Sequence, residues 1–547
     1  MTAQQKYKLW CDSVDSQYLS QLQSMQGDNL AIEDAFSKDL EFGTAGMRGL
    51  MGMGSNRINV YTIKKATIGI AKYLQQTNQD KNIKVVVSYD NRRDGKLFAQ
   101  IVSRVLENNN ISCQIFQQPT PTPILVYATR YLDCDLGIMI TASHNPKEYN
   151  GYKIFERSGS QVIDTTLISQ LIDEVDVFQD IVDDIGFDVK YLDDSIVQQY
   201  FQELNKKYDS FNVSSIKDIK VVYTPLNGTG STIVPELLAR YGNCPFVVPE
   251  QGYCNPDFET CPNPNPEHLD SFELGLKYAK LNDADIVVAT DPDADRIGVM
   301  VRHGDGYVYI NGNQMGILLT EFLLSQNATS NNKVLNPIVV RTIVTGNLVD
   351  KIADKYGATI RETLTGFKYI GNIIRELREN SEEHRYLIGF EESMGYLIGT
   401  HVGDKDAMIT VLAIMQLMAY CKAKNISLIE KLNEIYSEFG YFSSQTLSLR
   451  IDTNKVQSYL NSLRQAPPTN FASYLIQSFQ DYSNHTNKLM CANVLSYKLE
   501  NGVSVILRPS GTEPLLKIYL MASLTENQNN KIIGDLKTYF SNLKAFA

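Results

Sequence analysis

Cysteine is sparse, with eight residues scattered over a chain of 547. No CxxC pair occurs, and Cys254 to Cys261 has the wrong spacing for a zinc ribbon. Reduced thiols are expected, not a disulfide framework or a thiolate metal site. Basic charge is also in short supply: Lys plus Arg total 51 against 62 Asp plus Glu, a net charge of −11. That balance excludes a general nucleic-acid binder and leaves room for a local basic pocket around one small phosphorylated molecule. The longest apolar run, Met408 to Cys421, contains Thr410 and Gln416 and falls short of the ~20 residues needed to span a bilayer. It reads as a buried helix, and no membrane partner is expected. The first residues carry no basic stretch followed by an apolar core, so no signal peptide is read there and a cytoplasmic location is the expectation. Low-complexity linkers are missing too, which predicts closely packed domains.

What is present is ordinary globular usage, 43% hydrophobic, 21% charged and 10% aromatic. At about 150 residues per domain the length suggests three to four domains. A recurring unit is a short apolar strand ending in a polar loop and followed by a helical stretch. VVVSYDNRRDG from Val85, LGIMITASHNP from Leu136, VVYTPLNGTG from Val221 and IVVATDPDADR from Ile286 are examples. Fully apolar strands alternating with helices indicate parallel sheets covered on both faces, and ligands gather at the carboxyl ends of such strands. LGIMITASHNP and IVVATDPDADR are similar enough to hint at an internal structural repeat. Ser195 to Tyr208 reads as a crossing helix that ends a first domain. HGDGYVYINGN from His303 reads as a hairpin that opens a third. Near Phe439 the helical pattern gives way to alternating QTLSLRID, the start of a final α+β domain.

Five segments carry chemistry. DPDADR supplies Asp291, Asp293 and Asp295 at alternate positions right after a strand. In a tight loop such side chains converge on one hard cation, and carboxylates suit Mg²⁺. An EF-hand fails here, because its Gly and Glu positions are Arg296 and Arg302. A lone DxD is commonly a solvated acidic turn, but three Asp beside an Arg at the end of an apolar strand favour metal. TASHNP exposes Ser143 at another strand end, as a nucleophile or phosphate acceptor requires, although SHNP in most sequences means only a turn or cap. His144 is adjacent, but sequence proximity does not establish a dyad. RPSGTEP combines Arg508, Ser510, Gly511 and Thr512, able to cradle a phosphate. GFEESMGY offers Glu391 and Ser393 to vicinal hydroxyls. GTAGMRG is a Gly-rich loop bearing Arg48, weak on its own.

Together, and in this order along nearly the whole chain, the five segments resemble those of the α-D-phosphohexomutases. TLTGFKYIGN from Thr363 and GFEESMGY give the chain the flavour of the branch that holds phosphoglucomutases and phosphopentomutases. The resemblance implies an α/β protein of three similar mixed-sheet α/β domains plus a smaller C-terminal α+β domain around a central cleft. The corresponding spans are 1–205 with a phosphoserine loop, 206–308 with a metal loop, 309–440 with a sugar loop and 441–547 with a phosphate loop. It implies a phosphoserine at Ser143 completing a site for one Mg²⁺ per subunit with Asp291, Asp293 and Asp295. Exchange of glucose 1-phosphate and glucose 6-phosphate through glucose 1,6-bisphosphate is the implied reaction, with mannose or pentose phosphates the sister possibility. Arg48, Arg296 and Lys153 match positions around the reacting phosphoryl group. Lys368, Glu391 and Ser393 match sugar contacts, and Arg508, Ser510, Gly511 and Thr512 match contacts to the distal phosphate.

HVGDKDA resembles a segment with a proposed catalytic lysine, here Lys405; His144 is the other acid/base candidate, and His401 reads as structural. Where a mannose-type member carries a His shortly after the sugar-loop Ser, this chain has Met394, Gly395 and Tyr396. Glu392 beside Glu391 points toward glucose. The expected partner is a small phosphosugar, with no nucleic acid, and a monomer or weak homodimer. A phosphatase using one Asp of DPDADR leaves TASHNP and RPSGTEP unexplained. A non-catalytic sugar-phosphate binder has no physical need for Ser143, three Asp and Arg508 together.

Overall fold

One sheet design is built three times along the chain. The computed structural model describes residues 1–43, 46–78, 82–179, 188–209, 215–510 and 515–542. Among these, the first sheet runs Met47–Leu50, Tyr149–Glu156, Leu136–Ile140, Lys84–Tyr89, Ser112–Ile115 in spatial order. The last three strands are mutually parallel, while Tyr149–Glu156 is antiparallel to both of its neighbours. The second sheet repeats the pattern as Gly306–Ile310, Ile297–His303, Ile286–Thr290, Val221–Thr224, Phe246–Val247. The third, Thr359–Thr363, Ile338–Thr342, Tyr386–Glu391, Gly395–Ile398, again joins three parallel strands to an antiparallel one.

The central strands are apolar on both faces because both faces are covered. Successive residues of a strand point to opposite sides. Val85 and Val87 enter one core with the helices Val60–Thr77 and Gly95–Asn108, while Val86 enters another with the helix Thr122–Tyr131. Val221 and Tyr223 of the second sheet share that latter core, and Val222 faces a separate one. The shared core also takes Tyr200, Phe201 and Leu204 of the crossing helix Ser195–Asp209. Its centre is the helix Ala407–Ala423, buried along nearly its whole length. The apolar run from Met408 is thus a core helix, and no single helix among the described residues is long and apolar enough to cross a membrane. The lack of linkers has its counterpart in this one core running between sheets.

The hairpin from His303 does not open the third unit but completes the second sheet, with Gly306–Ile310 pairing antiparallel to Ile297–His303. The reason is local: Gly304 takes a left-handed turn (φ 58°), so the chain doubles back and Val308 pairs with Val301. A boundary at residue 308 therefore cuts a strand.

The last sheet differs in kind. Ser443–Arg450, Leu515–Ala522, Ser504–Pro509, Leu495–Leu499, Tyr474–Asp481 and Asn470–Phe471 are antiparallel throughout. Leu447 and Leu449 alternate with exposed neighbours and enter a core of their own with the helices Thr453–Gln465 and Glu526–Asn542.

Candidate active site

Three hairpin loops occupy the same place in the three repeated sheets. Each leaves the last parallel strand and returns as the antiparallel one: Thr141–Glu148, Asp291–Arg296 and Glu392–Met394. Each contains a non-glycine residue held left-handed, Ser143 (φ 52°), Ala294 (φ 51°) and Met394 (φ 65°). Such backbone is uncommon for L-residues and persists where surrounding contacts over-determine it. The loops meet: Ser143 of the first reaches Asp291 of the second, and Ile297 N–H, just past the second, donates to the Met394 carbonyl of the third at 3.2 Å.

The three Asp carboxylates each bring an oxygen within 4.8 Å of the others, and all three residues are buried. Asp291 is fixed by its own loop, its Oδ1 accepting the N–H groups of Asp295 (3.1 Å) and Arg296 (3.0 Å). Lys153 Nζ donates to Asp293 at 2.7 Å and Asp295 at 3.2 Å, and Lys405 Nζ lies 3.1 Å from Asp295. Burial together with the charges of Asp293 and Asp295 pushes the Asp291 carboxyl well above its usual range. Oδ1 of Asp293 and of Asp295 is buried with no hydrogen-bond partner. Unpaired buried oxygens and a crowded acidic donor set fit a hard divalent cation such as Mg²⁺.

Ser143 Oγ donates to Asp291 Oδ2 at 2.7 Å and lies 3.3 Å from His144 Nδ1. Its loop hangs on Arg92, a residue outside the five chemistry-bearing segments. Arg92 donates to the carbonyls of Ser143 (2.6 Å), Pro146 (2.7 Å) and Tyr149 (2.9 Å), and also to that of Asn145. Asp90 holds the Arg92 guanidinium at 3.2 Å and accepts from Thr141 Oγ1. The signal was present in DNRRDG, a charged loop at a parallel strand's end. Arg48 Nη1 donates to Asn145 Oδ1 at 2.7 Å. In its Gly-rich loop, a side chain on Gly46 would stand 2.0 Å from the Tyr152 carbonyl, so glycine is required there; Thr44 and Ala45 lie outside the described residues.

Arg296 Nη1 bridges Glu267 (2.7 Å) and the Ser393 carbonyl (3.1 Å). Glu391 is buried and accepts the Gly366 N–H at 2.7 Å. Burial with Glu391 and Glu267 nearby pushes the Glu392 carboxyl up to about 8. Lys368 Nζ donates to the Ile163 carbonyl at 3.1 Å, and burial lowers its ammonium below the usual range. Lys405 lies across the sugar loop: a side chain on Gly395 would meet Lys405 Cδ at 2.3 Å. His401 pairs with Asp406 at 2.6 Å, and Tyr200 donates to the same carboxylate at 2.7 Å, so His401 braces the start of the core helix. Burial and the cations Arg296 and Arg48 hold the His144 imidazole well below its ordinary range, so it is neutral. Arg508 sits at the end of the strand Ser504–Pro509, and Ser510 N–H turns back onto the Leu515 carbonyl at 2.8 Å. Gly511 and Thr512 lie outside the described residues.

Comparison with known proteins agrees with this construction. Models of phosphoglucomutase/phosphomannomutase alpha/beta/alpha domains I, II and III match residues 39–177, 198–304 and 311–439, and the C-terminal domain model matches 465–537. The chain therefore belongs to the phosphoglucomutase/phosphomannomutase family. It is an enzyme, a phosphohexomutase of the isomerase class. A phosphoglucomutase of Staphylococcus haemolyticus (strain JCSC1435) is 34% identical over 535 residues, covering 93% of this chain and 94% of that protein. One of Staphylococcus aureus (strain MSSA476) is 33% identical over 541 residues, covering 94% and 95%. The fold is shared with the open form of pp63/parafusin, a Paramecium phosphoglucomutase (TM-score 0.69, 20% identity, 92% of this chain and 94% of that one). It is also shared with a family protein from Burkholderia thailandensis (TM-score 0.69, 18% identity, 93% and 98%).

Proposed function

We propose that this enzyme interconverts glucose 1-phosphate and glucose 6-phosphate through a phosphoserine at Ser143 and a glucose 1,6-bisphosphate intermediate. The observation that carries the mechanism is Ser143 Oγ held 2.7 Å from Asp291, inside the carboxylate cluster and within reach of His144. The choice of glucose rests on the staphylococcal phosphoglucomutases, similar over almost the whole chain.

In the forward half-reaction the Oγ–P bond breaks as a sugar hydroxyl oxygen bonds to phosphorus. The hydroxyl proton leaves to a base, and Oγ takes one up. His144 Nδ1 is the nearest side-chain nitrogen in hydrogen-bond reach of that oxygen, and Lys405 approaches from the opposite loop. The bisphosphate then returns its other phosphoryl group to Ser143, which exchanges the isomers. Arg48 and Arg296 flank the transfer with positive charge, Glu391 and Ser393 address the sugar, and Lys368 orients it. Arg508, with Ser510, Gly511 and Thr512, grips the phosphate that does not react, so either isomer is held by one handle. One Mg²⁺ per subunit, held by Asp291, Asp293 and Asp295, supplies neutralisation of phosphoryl charge when bound.

Isomerisation by the purified enzyme with Mg²⁺ and a trace of glucose 1,6-bisphosphate tests this, with glucose, mannose and ribose 1-phosphates compared and Ser143→Ala as control. Glucose turning over fastest, and only with Ser143, is the expected result. Mannose or ribose fastest would overturn the substrate assignment, and full turnover by Ser143→Ala would overturn the mechanism.

A further inference from the structure

Asp293 differs from the other two carboxylates in where its support comes from. Asp291 Oδ1 is taken by N–H groups of its own loop, and Asp295 Oδ2 is met by Lys153 and Lys405. Asp293 Oδ2 accepts from two donors, both at 2.7 Å: Lys153 Nζ and the hydroxyl of Thr122. Thr122 belongs to the first sheet's helix Thr122–Tyr131 and is wholly buried.

The sequence around Thr122 makes it a rigid donor. It stands in QPTPTP, where Pro119, Pro121 and Pro123 each lock φ. Thr120 ties the run to the strand Lys84–Tyr89, its N–H donating to the Tyr89 carbonyl at 3.0 Å and its carbonyl accepting Ser88 Oγ at 3.2 Å. Thr122 opens its helix, and N–H groups of a first turn have no partner within their own helix. That of Thr122 donates instead to the Asp293 carbonyl at 2.9 Å. One residue therefore holds Asp293 twice, by the backbone and by the carboxylate.

The backbone bond suffices to place the loop. The hydroxyl bond acts on the rotation of the carboxylate alone. With Oδ2 occupied by two donors, Asp293 is left with Oδ1, buried and without a hydrogen-bond partner. Asp295 is likewise left with Oδ1, and Asp291 with Oδ2, which faces Ser143. Each carboxylate thus offers the cluster one oxygen. Mg²⁺ demands near-ideal octahedral geometry at about 2.0–2.1 Å, whereas Ca²⁺ tolerates irregular shells and accepts both oxygens of a carboxylate at about 2.3–2.6 Å.

We infer that Thr122 is a positioning residue, which keeps Asp293 a one-oxygen ligand and so biases the site toward Mg²⁺ over Ca²⁺. The assignment rests on the cation site proposed above and is independent of which sugar the enzyme uses.

Mn²⁺ bound to the full chain, read by electron paramagnetic resonance and displaced by Mg²⁺ or Ca²⁺, tests it. In Thr122→Val the affinity for Mg²⁺ is expected to fall at least about tenfold, the size usual for loss of a group that orients a metal ligand, and that for Ca²⁺ by less than about threefold. Thr122→Ser keeps the hydroxyl and is expected to keep the wild-type ratio. Thr122→Ala removes the hydroxyl without setting a methyl group against the carboxylate, and reads the same ratio if the valine variant does not fold. A general loosening of the fold lowers both affinities together and leaves their ratio where it was. An unchanged ratio in the valine and alanine variants, or a ratio that falls in Thr122→Ser as well, overturns the role of Thr122 while the cation site stands. No Mn²⁺ bound by wild type, or Mn²⁺ bound equally by Asp293→Asn, overturns the cation site and this role with it.

Discussion

The Ser143 loop and the Asp291 loop join the corresponding strands in two copies of one sheet, and each contains a left-handed residue, yet they are held in opposite ways. The Asp loop closes on itself, with Asp291 accepting two N–H groups of its own turn. The Ser loop is held from outside, its carbonyls gathered by Arg92 from the neighbouring parallel strand. A metal cluster needs its donors fixed relative to each other, which a self-closing turn provides. In the Ser loop the constraint falls on carbonyls instead, which under the proposed mechanism leaves Oγ, held by a single hydrogen bond to Asp291, able to exchange that partner for a phosphoryl group.

The sharpest break in that comparison is Ser143→Ala, expected to lower isomerisation by on the order of 10⁴-fold or more while leaving thermal unfolding nearly unchanged. Ser143→Gly is expected to be equally inactive but more stable than Ser143→Ala by about 1 kcal/mol, because φ 52° strains alanine and not glycine. Next in size is Arg92→Met, which strands the buried Asp90 carboxylate and is expected to cost about 3–5 kcal/mol by urea denaturation. Adding Asp90→Asn should recover part of that loss without restoring activity, because the Ser143 carbonyl still lacks its donor. For the self-closed loop, removing Mg²⁺ is the probe. Mg²⁺ at about a hundred times its dissociation constant should raise stability by about 2.7 kcal/mol, and Asp293→Asn should abolish most of that gain. The last test is a pH effect in the third hairpin. Glu392 is raised to about 8 in the folded enzyme, so wild type loses stability as pH climbs from its unfolded value toward 8. Glu392→Gln should therefore gain on wild type between pH 5 and 8 and hold a constant margin above it, read from unfolding midpoints at each pH.

Much of this arrangement was legible in the sequence. Apolar strands ending in polar loops gave the parallel sheets, since nothing but burial on both faces makes LGIMI or IVVAT fully apolar. The similarity of TASHNP and DPDADR segments pointed to a repeat that strand order now makes explicit, extended to GFEES. What was not legible depends on contacts far apart in the chain. Arg92 is one of two adjacent arginines in DNRRDG, and only the fold distinguishes it, buried beneath the Ser loop, from Arg93, which pairs with Asp257 in the open. Lys153 was read as lying beside the reacting phosphoryl group; that its ammonium lies against Asp293 and Asp295 was not legible. The hairpin at His303 was misplaced because a turn signal says where a chain reverses, not which sheet it reverses into.

The three helices that precede the first sheet, Ala3–Ser13, Ser16–Gln23 and Asn29–Phe36, carry a practical consequence. Trp10, the chain's single tryptophan, is buried edge-on against Phe36, Tyr61 and Phe178 at 5.5–5.6 Å, inside the core of the first sheet. Its emission is therefore a private gauge of that one core, blind to the cleft and to the C-terminal sheet. A fluorescence melt of this enzyme follows the release of its first 36 residues from the first sheet. Only comparison with circular dichroism reveals whether the remaining sheets let go with it or later.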